Sequence, residues 1–228
     1  MRTIRRVFWT FLLLLSAAWW LSDPTPMADL THVFAWRAVL LQYTGVLGIG
    51  VMALALVLAA RPVAFEPWLG GLDKMYRLHK WLGITALALS VAHWLLAVLP
   101  GHLVGLGWLR RQAYSASPLR TELPALEWLQ QALRGQRGMA VVVGEWAFYL
   151  AVLMMLLALV RYFPYRYFFK VHRLLAAAFL ALAWHAVVLM RVDYWMGALG
   201  PPLAVLVVAG SIAAVRVLLR RVAAGRKA

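Results

Sequence analysis

At 228 residues, with 64% hydrophobic and 14% charged side chains and a mean hydropathy of +0.78, the chain lies far from soluble domains and reads as an all-α membrane protein without a separate soluble domain. The formal net charge of +15 does not indicate nucleic acid as a partner, because the basic residues sit at the ends of apolar stretches instead of forming a patch. With no cysteine in the chain, disulfides, thiolate-bound iron–sulfur clusters and cysteine nucleophiles are excluded, and a metal must be held by His, Met or carboxylate.

Six apolar runs predict membrane-spanning helices at about 7–21, 37–60, 78–99, 140–162, 168–190 and 196–219, each near the ~20 residues that cross the hydrocarbon core. The first has a basic start like a signal peptide, but no A-x-A site follows it, and it reads as a retained span. In the second, Gly45, Gly48 and Gly50 follow no strand and do not fit a dinucleotide fingerprint, so they are expected to permit close approach of a helix or cofactor. Between the third and fourth, Leu119–Leu133 carries Leu123, Leu126, Trp128 and Leu129 and predicts an amphipathic helix lying flat on the outer interface. Arg111-Gln-Ala-Tyr-Ser115 superficially matches a flavin-binding Arg-x-Tyr-Ser motif, but has one residue too many. After the fourth span, Arg161–Lys170 alternates aromatic and basic residues, as an interfacial belt does.

Segments 1–6, 61–77 with Lys80, 161–173 and 216–228 hold 16 of the 23 Lys and Arg, and the alternate set holds seven. The positive-inside rule then places both termini in the cytoplasm, and the expected location is a bacterial inner membrane.

Four of the six histidines fall on two spans: His79 and His93 on the third, His172 and His185 on the fifth. Spacings of 14 and 13 residues correspond to roughly 20 Å at ~1.5 Å per residue, so each helix carries one His near each face of the hydrocarbon layer. Both spans run outward, which pairs His79 with His172 at an inner level and His93 with His185 at an outer level. Unpaired imidazole is costly in lipid. Two six-coordinate b-type haems, each taking one axial imidazole from each helix, satisfy all four, and bis-imidazole ligation suits electron transfer. Fourteen residues return to within ~40° of the starting face but thirteen give ~220°, so the fifth span requires a local winding change or side-chain reach.

Small residues near the ligands, including Gly83, Ala86, Ser90 and Ala176, would let a flat macrocycle approach the backbone, or serve ordinary helix packing. Arg77, Lys80, Lys170 and Arg173 flank the inner histidines and are candidate partners of the inner haem's propionates, although topology alone explains them. Arg37 is the outer candidate, for a propionate or an anionic acceptor. Trp94 and Trp184 adjoin the outer histidines. Glu145 is either a proton relay or a snorkelling interfacial acid, and His32 and His102 read as loop histidines.

These residues resemble the ferric reductase-type transmembrane domain shared by ferric reductases and NADPH oxidases. The resemblance is carried by Leu72–Leu96, with Tyr76-Arg-Leu-His79-Lys-Trp-Leu-Gly83 and Ala92-His93-Trp94, and by Lys170-Val-His172-Arg-Leu through Trp184-His185. It implies an oxidoreductase whose electrons come from FAD and NAD(P)H on a flavin reductase domain or protein at the cytoplasmic face. They would pass to the inner haem, then to the outer haem, and on to an outer acceptor, a ferric chelate or oxygen. That dehydrogenase domain is not expected within this chain. Oxygen-reducing members tend to carry another histidine one turn beyond the outer ligand, where Ala97 stands here. Two alternatives remain open: a haem-bearing membrane subunit that feeds a periplasmic partner enzyme, and a metal-ion or proton transporter, against which stands the lack of acidic residues at mid-membrane depth.

Overall fold

In a computed structural model of the chain, the structure describes residues 2–22, 30, 32–60, 65–110, 124–159 and 165–224; the side chains of 65, 124–127, 129, 130, 159, 165–171 and 220–224 are outside the description. Eight helices appear among the described residues: α1 (Arg2–Ser22), α2 (Val33–Ala59), α3 (Phe65–Leu69), α4 (Leu72–Gly105), α5 (Pro124–Leu159), α6 (Tyr165–Leu189), α7 (Val192–Met196) and α8 (Gly200–Ala224). Six of them, all but α3 and α7, are long and apolar enough to cross a membrane, and the chain is an integral membrane protein.

Two helices outrun the bilayer. At ~1.5 Å per residue, the 34 residues of α4 and the 36 of α5 span roughly 50 Å, against ~30 Å of hydrocarbon. The segment expected to form a separate interfacial helix contributes to this length. From Pro124 onward it continues unbroken into the fourth span, with Pro at a helix start where its missing N–H is harmless, while residues 119–123 and the Arg111–Ser115 stretch lie outside the described residues. The apolar positions of that stretch match a helix in either case, so amphipathicity alone does not distinguish a helix lying on the membrane from one leaving it. Residues 161–164 of the aromatic and basic segment are also outside the description, as are the side chains of 165–170.

The bundle is organised around α2. Half of its most apolar stretch is buried inside the protein, against 11% for α4, because α2 belongs to both apolar cores. One core joins α1, α2, α6, α7 and α8 through Trp19, Ala53, Phe179, Tyr194 and Leu203; the other joins α1 to α4 through Ile4, Val51, Leu69, Leu78 and Leu82. Gly210 lets α8 come close to α2, since a Cβ there would stand 2.9 Å from the Ala53 backbone. α1 is fastened at its end by Ser22, whose hydroxyl donates to the Ala18 carbonyl and accepts from the Leu199 amide at 2.8 Å. α2 packs extensively along α4 and α5 along α6, whereas α4 and α5 barely touch. The result is two helix pairs with space between them.

Candidate functional site

The four membrane histidines meet in that space. His79 faces His172 with ring centroids 6.0 Å apart and planes at 67°, and His93 faces His185 at 6.3 Å and 78°. Both contacts occur in the same order along α4 and α6, so the two helices run parallel and form two levels ~20 Å apart along the helix axis. α6 is α-helical from Tyr165 to Leu189, so no π or 3₁₀ turn absorbs the 13-residue spacing, and the placement of the rings contributes to accommodating it. His185 leans onto α5, where a Cβ on Gly144 would stand 2.0 Å from its Nδ1. The glycine leaves the space that the ring fills.

Each of three rings is held at Nδ1 by a neighbouring helix. His79 Nδ1 lies 2.9 Å from the Ala55 carbonyl of α2, His185 Nδ1 2.7 Å from the Ala140 carbonyl of α5, and His93 Nδ1 3.2 Å from Thr44 Oγ1 of α2. A carbonyl can only accept, so the Nδ1 of His79 and of His185 carries the proton and Nε2 keeps its lone pair for a ligand.

A cavity opens at each level. The one at His79 and His172 is about 120 Å³, with Met52, Gly83, Ala86 and Ala176 in its lining. The one at His93 and His185 is about 390 Å³ and also includes Arg37, Gln42, Ser90 and Glu145. Met52, Ala151 and Leu182 line both, so the cavities adjoin midway. Gly45 faces the His93 ring and Gly50 faces Leu15, as close approach requires, while a Cβ on Gly48 would meet no protein atom within 4 Å and opens into the larger cavity.

Of the basic residues, Arg37 alone lines a cavity among the described side chains. Its Nε donates to the Leu96 carbonyl at 2.8 Å and its Nη2 to the Ala97 carbonyl at 3.0 Å. The Leu96 carbonyl needs that donor because Pro100, four residues on inside α4, has no N–H to give it. Arg77 pairs with Asp73 at 3.2 Å on the exposed surface, Lys80 is exposed, and Arg173 donates to the Leu218 carbonyl of α8. The Lys170 side chain lies outside the described residues. Trp94 stacks on Phe148 at 5.7 Å, Trp184 donates to Gln136, and Glu145 accepts from the Tyr149 hydroxyl at 2.6 Å. His32 is the N-cap of α2, accepting from the Ala35 amide, and His102 is exposed at the end of α4.

Thr44, Gly144 and the carbonyls of Ala55 and Ala140 were not legible as site elements. A glycine inside an apolar span was a signal for Gly144; backbone carbonyls leave none.

Fold and site together define a six-span integral membrane protein with histidine pairs stacked at two levels between parallel helices. The family model described as "Ferric reductase like transmembrane component" matches residues 44–183, and the chain belongs to that family. The match includes His79, His93 and His172 and ends two residues before His185. Membership points to transmembrane electron transfer and to oxidoreductase activity in general. No curated protein and no solved structure matches the chain significantly.

Proposed function

We propose that the chain is the membrane part of a ferric reductase-like oxidoreductase, in which His79 and His172 hold one b-type haem and His93 and His185 a second. The observation that carries this reading is the ring spacing. With metal–imidazole bonds of ~2.0 Å, two imidazoles on opposite sides of one ion have centroids ~6.3 Å apart, and the two pairs stand at 6.0 and 6.3 Å. A macrocycle brings its own four nitrogens and needs only two side chains. Among the described residues no three His, Asp or Glu side chains gather to hold a bare ion.

Haem held by His79 with His172 and by His93 with His185 would supply a one-electron couple at each level. The protein's own part is to orient and insulate. Ala55 and Ala140 fix the proton of their histidines at Nδ1 and raise ligand basicity. Gly83, Ala86, Ala176 and Gly48 leave room for a flat group, and Met52, Ala151 and Leu182 keep water from the seam between levels. With both termini cytoplasmic, the His79 level faces the electron donor, FAD and NAD(P)H on a flavin reductase domain or protein. The His93 level faces the outer acceptor, a ferric chelate or oxygen, and its larger and more polar cavity suits that side.

The test is a dithionite-reduced minus oxidised spectrum of the detergent-purified chain, with haem quantified as the pyridine haemochrome. A low-spin b-type spectrum with two haems per chain is expected. No haem after expression with ample haem supply would overturn the reading in favour of a histidine-based transporter.

A further inference from the structure

α2 carries no histidine within its membrane-buried length, yet it touches both rings of α4, and the two contacts differ in kind. His79 meets a backbone carbonyl, which mutation cannot change. His93 meets a side chain, Thr44, at 3.2 Å. The hydroxyl has one proton, and two carbonyls of its own helix stand ready for it, Leu40 at 2.8 Å and Leu41 at 3.2 Å. An oxygen that donates back to its helix has only lone pairs left for the imidazole. The Nδ1 of His93 is then the protonated nitrogen, and Nε2 keeps its lone pair, on a ring that lines the larger cavity. Gly45 makes the approach feasible, because a Cβ there would stand 3.2 Å from Cε1 and 3.4 Å from Nδ1 of the same ring. Thr44 fixes a ring for which Gly45 makes room.

We infer that Thr44 is a positioning residue of the His93 level: its hydroxyl accepts the Nδ1 proton of His93 and so sets both the ring's orientation and its strength as an axial ligand. This rests on the haem reading given above. An acceptor at Nδ1 increases the electron donation of the imidazole and stabilises the ferric state relative to the ferrous one. Its removal raises the reduction potential of that level and leaves the other level unmoved.

Thr44→Val preserves volume and branching and deletes only the hydroxyl. The experiment is a spectroelectrochemical titration of the purified chain, its Thr44→Val and Thr44→Ser variants, and a His93→Leu variant that identifies the couple belonging to this level. Thr44→Val is expected to keep two haems and to shift that couple upward by about tenfold in its reduction equilibrium, ~59 mV for one electron. Thr44→Ser returns it to the wild-type value. If Thr44→Val drops that haem while Thr44→Ser keeps it, the assignment also stands. Potentials unchanged in Thr44→Val would overturn it and leave the Leu41 backbone, which also lies within reach of the ring, as the acceptor. Equal shifts in Val and Ser would overturn it in favour of simple packing. A wild-type chain with no haem would overturn both this inference and the haem reading, whereas two haems with an unresponsive potential would overturn this inference alone.

Discussion

The two histidine levels share a ring spacing but not their surroundings. At His79 and His172 the cavity is small, and among the described residues its lining apart from the histidines is apolar. At His93 and His185 it is about three times larger and includes a guanidinium, an amide, two hydroxyls and a carboxylate. The polar groups are not loosely arranged. Arg37 is committed to the Leu96 carbonyl, which Pro100 leaves without a donor, and to that of Ala97, Glu145 to Tyr149, and Gln42 reaches the Leu189 carbonyl at 3.4 Å, a carbonyl that also accepts from Arg137. Two of these five groups, Arg37 and Gln42, therefore satisfy backbone carbonyls toward the ends of α4 and α6, since a buried unpaired carbonyl costs more than a hydrogen bond returns. A histidine pair is thus a portable unit, and what distinguishes one level from the other is how each neighbouring helix end is satisfied.

The comparison can be broken most directly at the rings. His93→Leu and His185→Leu should each reduce the haem content from two to one and remove the same spectral component, whereas His79→Leu and His172→Leu should remove the other. The pairing fails if His93→Leu and His172→Leu give the same residual spectrum. Next in size is Gly144→Ala, which puts a methyl 2.0 Å from His185 Nδ1 and should empty only the His93 level, read as one residual haem per chain in the pyridine haemochrome assay. A smaller effect is expected from Arg37→Leu, which strips donors from the Leu96 and Ala97 carbonyls and should cost about 1–3 kcal/mol. A lowered thermal midpoint in detergent with the His79-level spectrum intact would show it. The smallest change should come from Asp73→Ala. It breaks an exposed i,i+4 pair with Arg77, worth less than about 0.5 kcal/mol, and should alter neither the midpoint nor the spectrum measurably.

The sequence announced the parts of the site that are chemically costly. An imidazole in hydrocarbon demands a partner, so four of them at matched spacings on two spans mark the two levels in the sequence itself. Six apolar runs likewise exposed the bundle, because a span has to be long and apolar whatever it packs against. Helix ends were less legible: α4 continues through Pro100, and α5 begins as far back as Pro124. Contacts of Arg137 and Gln136 with α6 help to hold the extension of α5.

The sequence alone, then, determined the membrane class, the six spans and the two-by-two histidine pattern, all of which follow from the cost of placing particular side chains in lipid. Only the tertiary structure decided what stands behind each ring. The partners of His79 and His185 are backbone carbonyls, which every residue carries. The roles of Gly144, Thr44 and Arg37 arise from helices meeting across 41 to 60 positions of chain, a proximity set by packing and not by any local pattern.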